Sequence, residues 1–396
     1  MSEWKKVRFL DVVHLNPRIS LEKGVEYPFV EMSNVVPCAR KPEKDVFKKY
    51  LGGGTKFEQG DTIVARIEPC LQNGKGFQCS YKQGFGSTEF IVFRPVNIND
   101  LDCDFLYYYM GQQAIREAMA KTMVGASGRQ RVNNKVFNDL QIYLPPLSTQ
   151  HRIATILSRY DSLIENYQKQ IKLLEETAQR LYKEWFVDLH FPGHENTNII
   201  DGVPEGWEKK KVGEIGTVIT GKTPSTSNKE NYGGSIPFIT IPDMHTGIYP
   251  VSSVFLSEKG AESQSKKYIP QGALIVSCIG TAGLVCITKE RCQTNQQINS
   301  LILDDKEMLH YMYFVFLSLK EHLNNIGSNG ATMTNVNKSK FEGIDIVVPS
   351  SCIIRDFSQR TTPYFENIKS LQSQLRLLTE ARDRLLPKLM SGEITI

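Results

Sequence analysis

The residues Gly216 to Thr223, GTVITGKT, spell the G-x-x-x-x-G-K-[ST] pattern of a loop that cradles phosphates, and Leu301 to Asp304 could pass for its acidic partner strand. Such a loop works because a helix begins directly after it and turns its amino-terminal N–H groups toward the phosphates. Here the next residues are Pro224 to Gly234, PSTSNKENYGG, with almost no apolar residue to anchor a helix. The string therefore argues against nucleotide binding, and an ATP-binding enzyme stays only as an alternative reading. His190 and His194 are four apart but enclose Pro192-Gly193, so they cannot share a helix face as zinc ligands. Leu144-Pro-Pro-Leu147 lacks the acidic or amide residue and the aromatic that an amino-methyltransferase loop needs, and Pro242-Asp243 lacks the acidic-x-Lys pair of a nuclease. The eight cysteines include no C-x-x-C pair and read as reduced thiols. No complete catalytic constellation and no metal site emerge.

The chemistry that remains is recognition. Arg66, Asn73-Gly74-Lys75-Gly76, Ser87-Thr88, and Ser127 to Arg131 with Arg129, Asn133 and Asn134 form polar, glycine-bearing loops in the first half. Their counterparts in the second half are Ser277 with Gly280 to Gly283 around Thr281, Asn295-Gln296-Gln297, and Asn329 to Thr332 with Thr334 and Asn335. Arg, Lys, Asn and Gln can bond guanine or adenine edges bidentately, and Ser, Thr and loop amides suit phosphates. Lys5-Lys6-Arg8, Lys41 to Lys49, Lys209 to Lys211 and Lys266-Lys267 could supply sequence-independent phosphate attraction. The net charge of +4 leans the same way without establishing a polyanionic partner.

The elements that must position these loops are written twice. Shifted by 204 positions, Val132, Asn133 and Phe137 fall on Val336, Asn337 and Phe341, and Ile164, Ile171, Leu174 and Leu181 fall on Ile368, Leu375, Leu378 and Leu385. Upstream the echo is looser: PFVEMSNV from Pro28 answers PFITIPDM from Pro237. From Ile153 apolar residues recur at alternating spacings of four and three through Leu157, Tyr160, Ile164, Tyr167, Ile171, Leu174, Ala178, Leu181 and Trp185, which is a coiled-coil seam. About 40 helical residues would reach roughly 60 Å. Ser148 and Thr149 are expected as N-caps and Pro192-Gly193 as the stop. The second seam runs through Phe357, Ile368, Leu371, Leu375, Leu378, Leu385 and Leu389, with polar breaks at Thr361 and Arg382 and an expected kink or restart at Thr362-Pro363. Two equal seams pair most economically with each other.

Short strands at 62–67, 89–93, 273–278 and 298–303, and one helix per half near 104–123 and 306–325, give a mixed α+β class. The expected domains are 1–147, 148–200, 201–350 and 351–396. Forty per cent apolar and 23% charged residues are ordinary for a soluble protein, and no 18-residue apolar run occurs, so a cytoplasmic chain without membrane contact is expected.

The stretch from Leu144, LPPLSTQHRIATILSRYDSLIENYQKQIKLLEETAQRLYKEWFVDLHFPG, the start VPEGWEKKKVGEIGTVITGKTPS and the ending LLTEARDRLLPKLMSGEI together resemble the specificity subunit of type I restriction-modification systems. The resemblance spans the whole chain. It implies two target-recognition domains joined by two long antiparallel coiled-coil helices in a pseudo-twofold repeat, each domain reading half of a bipartite site in double-stranded DNA. It recasts TGKTPS as the opening of a recognition domain, which adds Lys222 and Thr223 to the candidate DNA contacts Arg66, Lys75, Arg129, Arg131, Asn133, Thr281, Gln296, Asn329 and Thr332. It also implies two methyltransferase and two restriction subunits as partners, with S-adenosylmethionine, ATP and Mg on those subunits and no cofactor on this non-catalytic chain. A coiled-coil scaffold without DNA binding is the remaining rival.

Overall fold

The structure is a computed structural model that describes residues 4–126, 128–200, 202–328 and 335–396. Asn329 and Thr332 therefore lie outside the described residues, as does Ser127. The chain divides into two compact units. Residues up to Asn166 together with Arg376–Ile396 form the first, and Tyr167–Leu375 form the second. The last 21 residues thus fold with the beginning of the chain.

In the first unit, Val13–Leu15, Phe90–Pro95, Thr62–Ala65 and Gly76–Gln78 form an antiparallel sheet in that order. A second sheet runs Phe47–Lys49, Glu26–Val30, Gln83–Gly86 and Thr55–Glu58, with a parallel pair that sets Phe29 beside Phe85. Strand-forming residues dominate these runs, and Ile63, Ile91, Val92 and Phe93 are fully buried. The second unit repeats the plan. Gly216–Thr220, Ile298–Leu303, Leu274–Ser277 and Val285–Ile287 make the antiparallel sheet, and Phe238 of Tyr232–Ile239 lies parallel to Gln293. The matched strings PFVEMSNV and PFITIPDM hold the same place in both plans. A two-stranded ribbon closes each module: Lys5–Arg8 pairs with Gln141–Leu144, and Glu208–Lys211 with Asp345–Val348. The basic clusters at both module starts are carried on these ribbons.

The expected single helix of each half is two. Cys103–Met110 and Gln113–Ala120 are separated where Gln112 turns extended, and Leu309–Ser318 and Lys320–Ser328 are separated at Leu319. Asp102 caps the first of these by accepting from the Phe105 N–H. Tyr108, Tyr311 and Tyr313 of these helices are buried in the core.

The first long helix is Leu147–Tyr182 and the second Ser351–Met390. Neither Ser148 nor Thr149 caps the first. Pro146 does, accepting from the Thr149 and Gln150 amides, while the buried Gln150 amide ties the helix start to Asp100, Asp102 and Pro145. The helix ends before Pro192-Gly193, in a π-type turn over Lys183–Val187 and a left-handed Leu189 at φ 61°. Pro363 does not restart the second helix, which is continuous. Its ring is on the exposed side, and the buried Phe357, Thr361, Phe365 and Ile368 pack the helix through that turn. Tertiary contact outweighs the roughly 3 kcal/mol that an interior proline costs.

The seams pair antiparallel within each unit. In the first, Ile153, Ala154 and Leu157 share a core with Leu385, Leu386, Leu389 and Met390. In the second, Trp185, Tyr182 and Phe186 pack on Phe357, while Gln170 and Leu174 lie beside Leu371 and Gln374. Ile164, Ile368 and Ala178 are buried. Ile171, Leu174, Leu181, Leu375, Leu378 and Leu385 are half-buried, which fits a narrow two-helix stripe. Both polar breaks are satisfied. Arg382 donates to Asp161 at 2.9 Å, and the Tyr108 hydroxyl donates to the same carboxylate at 2.5 Å. Thr361 meets His310 Nδ1 at 2.9 Å, and the His310 ring stacks on Phe365 at 4.0 Å.

Burial pushes His310 down from its ordinary 6.5 to about 4, so the fold holds it neutral. A lowered value means that this contribution is complete above pH 6.5 and is lost as pH falls from 6.5 toward about 4. Between pH 7 and pH 5 the wild-type chain should lose about 2 kcal/mol more stability than His310→Gln, read as the difference in urea midpoints of the second unit's transition.

Candidate nucleic-acid interface

The recognition loops converge because the backbone stitches them together. In the first unit Arg66 comes directly after the strand Thr62–Ala65; its N–H donates to Glu89 O at 2.8 Å and its carbonyl accepts from Val132 N–H at 2.9 Å. Arg131 bridges to Ile67 and Val124. The second unit repeats the two bonds of Arg66 and the bridge from Arg131 to Ile67. Cys278 N–H donates to Gln297 O at 2.8 Å, Cys278 O accepts from Val336 N–H at 2.9 Å, and Asn335 bridges to Ile279. Arg66, Glu89 and Arg131 thus occupy the backbone places of Cys278, Gln297 and Asn335. The scaffold is conserved between the copies and the side chains are exchanged.

In the first unit the exchanged side chains are charged. Arg131 makes a two-pronged ion pair with Glu89, at 2.8 and 2.7 Å, and this bond holds the Glu89 carboxyl below its usual range. Arg131 stays 46% exposed, so a planar cationic fork is held rigidly at the surface. The Arg66 guanidinium reaches Val132 O at 3.4 Å, and its buried Nε has no partner among the described residues. Lys75 lies in the adjacent turn, where its carbonyl accepts from Ala65 N–H and its ammonium donates to Met32 O at 2.8 Å. Arg129 is exposed in the turn after Ala126. Asn133 uses its side chain locally, accepting from Lys135 N–H to cap the short turn Asn134–Phe137.

In the second unit they are amides and hydroxyls. Thr223 donates to Gln296 at 2.5 Å, and Asn295 donates to Gln297 at 3.1 Å. Gln296 and Thr281 are exposed, Thr281 in the turn after Leu274–Ser277. Lys222 projects into solvent while its backbone N–H donates to Thr294 O. Beneath them the buried Asn299 accepts from Thr220 and donates to Val336 O. Sequence reasoning missed Glu89 and Asn299, because an acid at a strand start and an amide inside an apolar strand carry no pattern until their partners arrive.

The GTVITGKT string is a strand rather than a phosphate cradle. Gly216–Thr220 pairs along its length with Ile298–Leu303, and the Gly221 and Lys222 amides donate to Ile298 O and Thr294 O. The next helical turn is only Lys229–Asn231. These two amides are spent inside the sheet and cannot line an anion nest. Among the described residues no group of His, Cys, Asp and Glu could hold a metal, and no helix is long and apolar enough to cross a membrane. All eight cysteines are free. Burial pushes the thiols of Cys79, Cys278, Cys286 and Cys292 up to about 12, so these four are inert at neutral pH.

Three comparisons bear on this geometry. A family model described as the type I restriction modification DNA specificity domain matches residues 1–176 and again 204–359. The type I restriction enzyme HindI specificity subunit of Haemophilus influenzae is 30% identical over the full length of both chains. The MjaIX specificity subunit of Methanocaldococcus jannaschii is 29% identical over 74% of this chain and 69% of its own. Among solved structures, the S subunit of a type I restriction-modification system from M. genitalium shares the fold at a TM-score of 0.60, with 17% identity over 98% of this chain and 96% of that one.

Gly221 tests the strand assignment. A Cβ there would stand 2.2 Å from Asn295 O and 2.4 Å from Thr294 O. Gly221→Ala should therefore lower stability by about 2 kcal/mol, whereas the solvent-facing Lys222→Ala should change it by less than about 0.5 kcal/mol, both read by thermal unfolding.

Proposed function

Because the chain belongs to the type I restriction modification DNA specificity family, we propose that each unit reads one half of a bipartite site in double-stranded DNA and that the paired long helices set the spacing between the halves. The chain is the non-catalytic specificity subunit of its complex. The observation that carries the reading is the repeated stitch of strand end, loop and subsequent turn, which presents Arg66, Glu89 and Arg131 in one unit and Cys278, Gln297 and Asn335 in the other. A fixed backbone with interchangeable side chains is what two different half-sites require. Arginine forks favour guanine, and Gln and Asn favour adenine. The first unit is therefore suited to a G·C pair and the second, through Gln296 and Gln297, to an A·T pair.

The exposed lysines and arginine of the Lys5–Arg8 ribbon, and those of Glu208–Lys211, suit the phosphate backbone and would make binding salt-dependent. Methylation and cleavage belong to partner chains in this reading. Two methyltransferase subunits carrying S-adenosylmethionine and two restriction subunits using ATP and Mg would dock on the repeated frame, which offers two similar surfaces.

Mapping N6-methyladenine across a host genome tests the modular reading. Arg131→Ala should relax one position of one half-site, costing about 1–3 kcal/mol in discrimination there, and leave the other half unchanged. Loss of sequence preference in both halves together would defeat it. Inserting one heptad after Leu174 and one after Leu371 lengthens each helix by about 10 Å, so the unread spacer should grow by about three base pairs. An unchanged spacer in an active complex would refute the ruler.

A further inference from the structure

The gap-free register of the long helices lets each unit serve as a reference for the other. Tyr182 of the first helix corresponds to Leu386 of the second, and Phe365 corresponds to Asp161. In the second unit Tyr182 and Phe365 fill the space against the module: their rings lie 5.2 and 6.0 Å from Phe314. In the first unit, where Leu386 and Asp161 stand instead, a cavity of about 320 Å³ opens beside Tyr108 and Gln112. Aromatic rings occupy these two positions in one copy of the repeat, and a cavity borders them in the other.

The cavity has the character of a small-ligand site. Its volume falls within the roughly 300–1,000 Å³ usual for such sites. Ile63, Val64, Met110 and Leu386 give it an apolar wall, and Tyr107 adds an aromatic ring. The lining also carries three cations, Lys75, Arg116 and Arg382, and two carboxylates, Asp161 and Asp383. Both carboxylates are engaged by Arg382, at 2.9 Å each. Lys75 donates to a carbonyl, and Arg116 meets only the Cys38 sulfur, at 3.6 Å, among its described hydrogen-bond partners. Three cations against two carboxylates leave one positive charge in excess, and both acids are turned to Arg382 and not to Lys75 or Arg116. Thr62, 1% exposed, also lines the cavity, and its hydroxyl has no partner among the described residues. Gly74 lets Arg116 close over this wall: its φ is +70°, and a Cβ there would meet the guanidinium at 1.9 Å.

We propose that this cavity binds a small planar aromatic anion, with its ring against Tyr107, Met110 and Leu386 and its anionic group toward Arg116 and Lys75. The site shares Lys75 with the candidate interface, while Tyr107, Met110, Arg116 and Leu386 come from elements outside the stitched loops. The probe is 8-anilinonaphthalene-1-sulfonate, a ring system bearing one sulfonate, titrated by fluorescence against the full-length chain.

The wild-type protein should bind it saturably at a stoichiometry of one. Leu386→Tyr restores the filling residue of the other copy and should weaken binding at least tenfold. Arg116→Glu, at the rim and outside the core, should weaken it at least fivefold with an unchanged melting temperature. Absence of saturable binding to the wild type, or unchanged affinity in either folded variant, overturns the proposal. Should Leu386→Tyr fail to fold, Arg116→Glu decides alone.

Discussion

Everything in this chain depends on apolar stripes that cannot be buried alone. A two-helix seam leaves each helix with one narrow face to hide, and a helix of 36 or 40 residues exposes far too much of that face to be stable without a partner. The antiparallel pairing solves this within each unit. It also brings the final 21 residues into the core of the module that begins the chain. Leu389 and Met390 share a core with Phe9 and Ile153 because the seam, more than proximity in sequence, decides what packs together.

The seam is repeated in register but not in chemistry. Asp161 and Arg382 form a buried ion pair in the first unit, and the corresponding pair in the second is Phe365 and Ala178, both apolar. Thr361 meets His310 in the second unit, where the first has the apolar Leu157. A buried ion pair contributes little net stability, since desolvation offsets most of its attraction, but losing one partner leaves a charge stranded at a cost of about 3–5 kcal/mol. Burial alone would lower the Arg382 value; the hydrogen bond to Asp161 and the charge of Asp383 outweigh it and hold the guanidinium above its ordinary range. Such pairs fix the seam at one register more firmly than leucines do, because a slip strands the charge.

The recognition loops obey a different rule. Their backbone geometry is set by hydrogen bonds between strand end and loop, which any side chain can accompany. Selection can then change Arg131 for an amide, or Glu89 for a glutamine, without rebuilding the sheet. This explains why the two copies align closely in the helices, where side chains are the structure, and loosely in the modules, where the backbone is.

The duplication, the seam from Leu157 to Leu181 and from Ile368 to Leu385, and the strand Ile298–Leu303 were all legible in the sequence, because periodicity and strand-forming runs are local properties. The rejection of GTVITGKT as a phosphate loop was legible too, since it needed only the missing helix after it. Tertiary structure alone decided the rest. It carried the second helix through Pro363, ended the first before Pro192, split the helices at Gln112 and Leu319, and matched each polar break to a partner far away in the chain. The physical reason is the same in each case. A proline, a buried arginine or an acid at a strand start is unfavourable or uninformative by itself, and its meaning is fixed only by the group that packing brings against it.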